Sequence, residues 1–280
     1  MNDWCYYFQP TDIHLIQSVP QGEMGFIRRV RDDLESALKR TQESNMYIYN
    51  PSCASDLTFI LSNIASRLTS NTNPLLQLDF HGHRENGCLL ASGEFVSWPS
   101  LSHSLGEINL RCKNRLAVIS CACFSFKLIR LDRLDVPAPF NFLAAPSEEI
   151  TIGSLQQRLT RFYQALIDQR DLENALKSLQ PEFSFHWPEY DLFFVIRDEL
   201  NKYRGNKGRK NLEEAVSSAI VSGQIEPNQI AVLRRRLRRL AQDFTEADLA
   251  KLVHDYLCGR KPFFTVEDLR TIERNPYWMR

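Results

Sequence analysis

The sequence predicts an α/β protein, a mostly parallel sheet with helices on both faces, followed by a C-terminal helical appendage. Three observations predict it. Short apolar runs without polar alternation recur through the first half of the chain, as in strands buried on both faces. These runs alternate with longer segments whose apolar residues fall at helical spacing. From about residue 206 onward only helical patterns follow.

Taken in order, residues 1–11 carry Trp4, Tyr6, Tyr7 and Phe8 and read as a packing arm. Asp12–Val19 reads as the first strand, ended by Pro20 and Gly22. Glu23–Thr41 places Phe26, Ile27, Val30, Leu34 and Leu38 on one helical face. Met46–Tyr49 is a short strand closed by Asn50-Pro51, and Ser55–Leu68 is an amphipathic helix behind a Ser55-Asp56 cap. The third strand is Leu75–Phe80, followed by a polar connection containing Gly87 and Gly93. A helix over Ser97–Leu105 follows behind a Ser97 cap, then a fourth strand at Leu116–Ser120, a helix opening at Phe126–Leu131 and a fifth strand at Phe140–Ala144. Ile152–Ile167 and Leu172–Leu179 are helical patterns, and Phe183–Trp187 and Leu192–Ile196 read as a late strand and a helix. Tyr203–Arg209 reads as a basic linker. Asn211–Ser222, Pro227–Phe244, Ala247–Leu257 and Val266–Arg274 complete the chain as helices, with Thr245 and Thr265 as caps. The division is therefore 1–205 for the α/β domain and 206–280 for the appendage.

Composition narrows the function classes. Apolar residues make up 43% of the chain and the formal net charge is +0, so no global field points to nucleic acid or an anionic surface. No apolar run approaches the roughly 20 residues that a membrane helix needs. The N-terminus lacks the pattern of a secretion signal. Seven cysteines, scattered at 5, 53, 88, 112, 121, 123 and 258, do not form a disulfide framework, which points to reduced thiols in the cytoplasm. No Cys-x-x-Cys pair or zinc-spaced cluster occurs, so neither a metal nor another cofactor is expected. The most basic stretch, Leu233–Leu240, carries its leucines on one helical face and reads as a solvated helix docked by them. It is not interleaved with aromatics, which argues against nucleic acid.

The chemistry-bearing residues stand at two strand ends. The third strand ends in His81-Gly82-His83 and the fourth in Cys121-Ala122-Cys123. In parallel sheets, ligands and catalytic groups gather at the carboxyl ends of the strands, and consecutive strands are commonly neighbours. A cysteine becomes a nucleophile when a nearby base takes its proton, and histidine suits that role near neutral pH. A glycine after the histidine lets the backbone approach a substrate closely. His81 has that glycine, with His83 as its rival. Cys123 is preferred to Cys121, which points the same way from deeper in the sheet. Asp79 shares the face of His81 by alternation and is a candidate to tune the imidazole or to bind a basic substrate residue. The bland readings are an aspartate that accepts hydrogen bonds from a nearby loop, and core cysteines. His14, His103, His186 and His254 read as packing or surface groups.

Phe80-His81-Gly82 and Ile119-Ser120-Cys121-Ala122-Cys123, in this order at successive strand ends, resemble the caspase-like cysteine peptidases, especially their CHAT branch. Gly87–Trp98 is similar to the segment that follows the histidine in CHAT proteins. Leu155–Leu176 resembles the helix pair late in that domain. The resemblance spans roughly 10–180 and leaves the C-terminal residues uncovered. It implies a Cys123–His81 dyad, oxyanion donors at Gly82 and Cys123, and a protein substrate. It also implies regulated or defence-linked proteolysis of a prokaryotic kind, and a specificity pocket on later loops where Asp132, Asp135, Glu148 and Glu149 lie. The family commonly has a small residue where Phe124 stands. A catalytically silent module that binds a protein partner through 206–280 is the alternative expectation.

Overall fold

The structure, a computed structural model, describes residues 8–129, 136–202, 205–222, 226, 229–235 and 243–271. Among these residues the chain forms two compact units. One comprises the chain up to Pro188 together with Asp255–Arg260; the other comprises Glu189–His254 and the residues from Lys261 onward.

The first unit is built on eight strands: β1 (Asp12–Ser18), β2 (Asn45–Tyr49), β3 (Pro74–His83), β4 (Gly87–Leu89), β5 (Phe95–Val96), β6 (Ala117–Ser120), β7 (Phe142–Pro146) and β8 (Phe183–His186). Its main sheet runs β2-β1-β3-β6-β7-β8, parallel throughout except for the antiparallel β7–β8 pair. The short β4 and β5 form an antiparallel extension from the end of β3.

Helices cover both faces, as the uninterrupted apolar strands require. On one face α1 (Met24–Thr41), α4 (Ile152–Tyr163) and α5 (Leu172–Leu179) pack on Ile13, Leu15, Leu75, Ile119 and Phe142. On the other, α2 (Ala54–Arg67) and α3 (Trp98–Arg111) pack on Ile16, Leu76, Leu78, Val118 and Leu143. The alternation of faces along β1 and β3 is what places neighbouring residues in different cores. Because α1 and α2 lie on opposite faces, the winding reverses between β1 and β3, where open α/β sheets form a crevice.

The second unit is helical among its described residues: α6 (Pro188–Lys202, whose first residue closes the first unit), α7 (Gly205–Val221), α8 (Glu246–Val253) and α9 (Val266–Thr271). Thr245 and Asp248 close a capping box on α8, and Thr265 and Asp268 exchange the same two bonds ahead of α9.

Several local expectations are corrected. β3 runs to His83 and not to Phe80, because β4 supplies a backbone partner for its last three residues. Ser55 is not the cap of α2. Cys53 holds that position, and the Asp56 carboxylate instead accepts from the Ser52 N–H and hydroxyl. The helix expected from Phe126 is a short 3-10 turn, Ser125–Leu128. The fifth strand begins at Phe142, and the helix expected through Ile167 loosens into a π turn over Gln164–Asp168. Gly205–Arg209, read as part of a linker, is already helical in α7. The N-terminal aromatics Trp4, Tyr6 and Tyr7, Cys5, Asp132, Asp135, Arg236–Arg239 and the end of the last predicted helix lie outside the described residues.

Candidate active site

The carboxyl ends of β1, β3, β6 and β7 surround a cavity of about 310 Å³. Val19, Phe26, Phe80, Ile150, Ile152 and Leu155 wall it. Glu23, Asp79, His81, Cys121, Cys123 and Thr151 supply its polar groups. His81, Cys123 and Asp79, all singled out from the sequence, therefore meet around one space.

Each of these groups is held by its local chain. The His81 Nε2 lies 3.0 Å from Oε2 of Glu23, the residue that ends the 3-10 turn after β1 and caps α1. With Nε2 engaged, Nδ1 is the ring nitrogen left to serve a neighbouring thiol. Cys123 follows β6 in a tight turn. The Ser125 hydroxyl and N–H both donate to the Ala122 carbonyl, at 2.6 and 3.2 Å, and Phe124 takes a left-handed backbone with φ of 59°. The Phe124 N–H donates to the Glu148 carbonyl at 3.3 Å, tying the turn to the loop after β7. From that same loop the Ile150 N–H points at the Cys123 Sγ, 3.5 Å away.

Gly82 joins the two strand ends. A Cβ built on it would lie 1.8 Å from the Cys123 carbonyl oxygen and 2.8 Å from the Cys123 nitrogen. Any side chain at 82 would push the cysteine turn away from β3. The missing Cβ thus leaves room for the Cys123 main chain, whereas the sequence suggested room for a substrate.

The rivals are separated by position. His83 does not line the cavity. Its Nδ1 accepts the N–H groups of Glu85 and Asn86, both at 3.2 Å, and its ring meets Phe95 edge-on. Cys121 does line the cavity but is 5% exposed, and burial, then the charge of Asp79, hold its thiol well above the usual range. Cys123 is only partly buried. Cys88, Cys112 and Cys258 are pushed up to about 12, 11 and 12, in each case chiefly by burial.

Asp79 sits on the floor, 1% exposed. Its carboxylate accepts from the Gln77 amide at 2.8 and 2.9 Å and from the Gln17 amide at 3.2 Å. Tyr163 of α4 extends the chain by donating to the Gln77 Oε1 at 2.6 Å. Burial pushes Asp79 up to about 6, against the smaller opposing pull of its hydrogen bonds from Gln77, Cys121 and Gln17. The hydrogen bonds expected for Asp79 from a nearby loop come instead from its own and the adjacent strand.

Glu23, Ile150, Thr151, Gln17, Gln77 and Tyr163 were not found from the sequence. Glu23 carried a usable signal, since it opens the helix that leaves the first strand, at the same edge as His81. The two glutamines stood as isolated polar residues inside strongly apolar strands, a pattern that asks for a buried partner.

The remaining sequence candidates lie elsewhere. His14 stacks on Tyr47, and His186 meets Phe126 and Phe140 edge-on. Of the arginine run, Arg234 and Arg235 are described, and Arg234 pairs with Glu213 of α7. Among the described residues no group of three or more His, Cys, Asp and Glu could hold a metal ion, and no helix is long and apolar enough to cross a membrane. A comparison with models of known protein families finds no match to this chain, and a search of curated proteins finds none either.

Proposed function

We propose that the protein is a cysteine endopeptidase of the caspase-like type, with Cys123 as nucleophile and His81 as its base and acid. The observation that carries this reading is the shared cavity: a partly buried thiol and an imidazole, delivered by adjacent parallel strands, face one space at the sheet's carboxyl edge. The strand order and the two helical layers are compatible with a caspase-like sheet. The finer assignment to the CHAT branch rests on the motif resemblance alone.

In this reading the Cys123 sulfur attacks a peptide carbonyl carbon, forming a C–S bond as the carbonyl π electrons move to oxygen. The N–H groups of Gly82 and Cys123 hold that oxyanion. His81 takes the thiol proton and passes it to the departing amine as the C–N bond breaks. Water, deprotonated by the same ring, then attacks the thioester and frees the acid. Glu23 orients the imidazole through Nε2. The Ile150 N–H supports negative charge on the sulfur before attack. Asp79 belongs to the pocket that receives substrate. A regulatory protein partner would bind through the appendage expected at 206–280.

Cleavage of a peptide library by the full chain, beside Cys123→Ala and His81→Ala, tests the reading. Wild type is expected to cleave, Cys123→Ala to be inactive, and His81→Ala to lose on the order of 100-fold or more. Limiting iodoacetamide should alkylate Cys123 ahead of every other cysteine. Cleavage that survives in Cys123→Ala, or slow and uniform alkylation with no cleavage, would overturn it.

A further inference from the structure

We infer that the cavity receives a lysine or arginine side chain from the residue on the acyl side of the cleaved bond, with the Asp79 carboxylate as its counter-charge. This deepens the peptidase reading and rests on it. Four features of the cavity point to that occupant.

Its volume of about 310 Å³ is at the small end for ligand pockets, a size for one side chain and not for a peptide segment. Its walls are hydrocarbon, contributed by Val19, Phe26, Ile150 and Leu155, while its floor is an acid. A long apolar stem with a cationic tip matches walls and floor together, and only lysine and arginine have that form.

The floor also lacks a cation. Asp79 is held by two neutral amides and the Cys121 thiol, and among the described residues no lysine or arginine is ion-paired with it. Asp79 itself lines the cavity, so a guanidinium or ammonium group there would bring N–H donors and positive charge to its carboxylate.

Competing side chains fare worse. An aspartate or glutamate would face Asp79 from inside the cavity and Glu23 at His81, with like charges at short range. A leucine would fill the walls but leave the acid drier than before and still without a cation. Burial holds the Asp79 carboxyl up at about 6, which fits an acid that lacks a cation until the ligand brings one.

The test uses matched fluorogenic peptides that differ only in the residue before the scissile bond: arginine, lysine, norleucine or aspartate. The arginine and lysine substrates are expected to exceed norleucine by on the order of 100-fold in kcat/KM, with aspartate lowest. Asp79→Asn keeps the side chain's size and removes its charge, and is expected to lose most of that ratio, chiefly through a raised KM for the arginine and lysine substrates. A calorimetric titration of Cys123→Ala with the arginine and norleucine peptides reads the pocket without chemistry and should keep the preference. Equal or better turnover of norleucine or aspartate, or an unchanged ratio in Asp79→Asn, overturns the inference while leaving the peptidase standing. Tight binding of the arginine peptide by Cys123→Ala, with no cleavage by wild type, would uphold the pocket and remove the peptidase reading instead.

Discussion

The two faces of the central sheet differ in what the same strands bury. Toward α2 and α3 the sheet presents Ile16, Leu76, Leu78, Phe80, Val118 and Leu143, met by Leu57, Leu61, Ile64, Trp98, Leu101 and Leu105. Toward α1 and α4 the strands begin in the same manner, with Ile13, Leu15, Leu75 and Ile119. Their last inward residues then turn polar: Gln17, Gln77, Asp79 and Cys121 are all buried there, with the Tyr163 hydroxyl above them. Burying such groups is unfavourable unless each finds a partner, and leucine would fill the space more cheaply. The α2 and α3 face shows the sheet can be packed that way. Of this polar set Asp79 and Cys121 line the cavity, and Gln17, Gln77 and Tyr163 are hydrogen-bonded behind them.

The largest expected effect lies on the apolar face. Leu105 is fully buried against the sheet, and Leu105→Ala should lower unfolding free energy by about 2–5 kcal/mol, lost transfer plus residual cavity. Urea unfolding measures it. Alkylation of Cys123 in the folded protein should stay unchanged, since the substitution is on the opposite side of the sheet. A loss below about 1 kcal/mol would mean this face is loosely packed and the contrast between the faces is weaker than its contacts suggest.

The polar face should be sensitive to pH. Asp79 stands at about 6 when folded, against 3.8 for an ordinary aspartate. The native state therefore binds this proton more tightly than the unfolded state does. Stability is highest below the lower value, falls as pH rises through the window from 3.8 to about 6, and levels off above it. The whole decline is on the order of 3 kcal/mol. Other buried groups titrate nearby: His14 and His186 are lowered to about 4 by burial, and Asp191 is raised to about 6. The informative quantity is therefore the difference between wild type and Asp79→Asn, measured by urea unfolding at pH 4 and pH 7. The variant should gain on wild type toward pH 7. Parallel curves would show that Asp79 does not carry the buried charge.

Much of this architecture was legible in the chain itself. The apolar runs located the strands because both faces are covered, and the caps at Ser97, Thr245 and Thr265 stood where the residue pattern put them. His81 and Cys123 were legible because they end such runs. The other half of the site depends on strand order, which local pattern does not encode. Glu23 reaches His81 because β1 lies beside β3, and Ile150 reaches Cys123 because β7 lies beside β6. The polar floor was hidden for a related reason: Gln17, Gln77 and Tyr163 are far apart in sequence and acquire their meaning only as partners.

The smallest expected effect sharpens the contrast at the cysteine turn. Phe124 holds φ at 59°, where a side chain other than glycine is strained by about 1–2 kcal/mol. Its ring lies 5.4 Å from the Arg84 guanidinium, a contact worth roughly 0.5–1 kcal/mol at an exposed site. Phe124→Gly relieves the strain but loses the ring contact and adds freedom to the unfolded chain, so stability should shift by less than about 1 kcal/mol. The turn itself is made by main-chain bonds to Glu148 and Ala122, which glycine keeps, so Cys123 should be alkylated at its wild-type rate. Phe124→Val has a branched Cβ that resists positive φ, and should be less stable than Phe124→Gly and slower to alkylate. If valine and glycine behave alike in both measurements, the left-handed turn is not what aims the Cys123 sulfur at the Ile150 N–H.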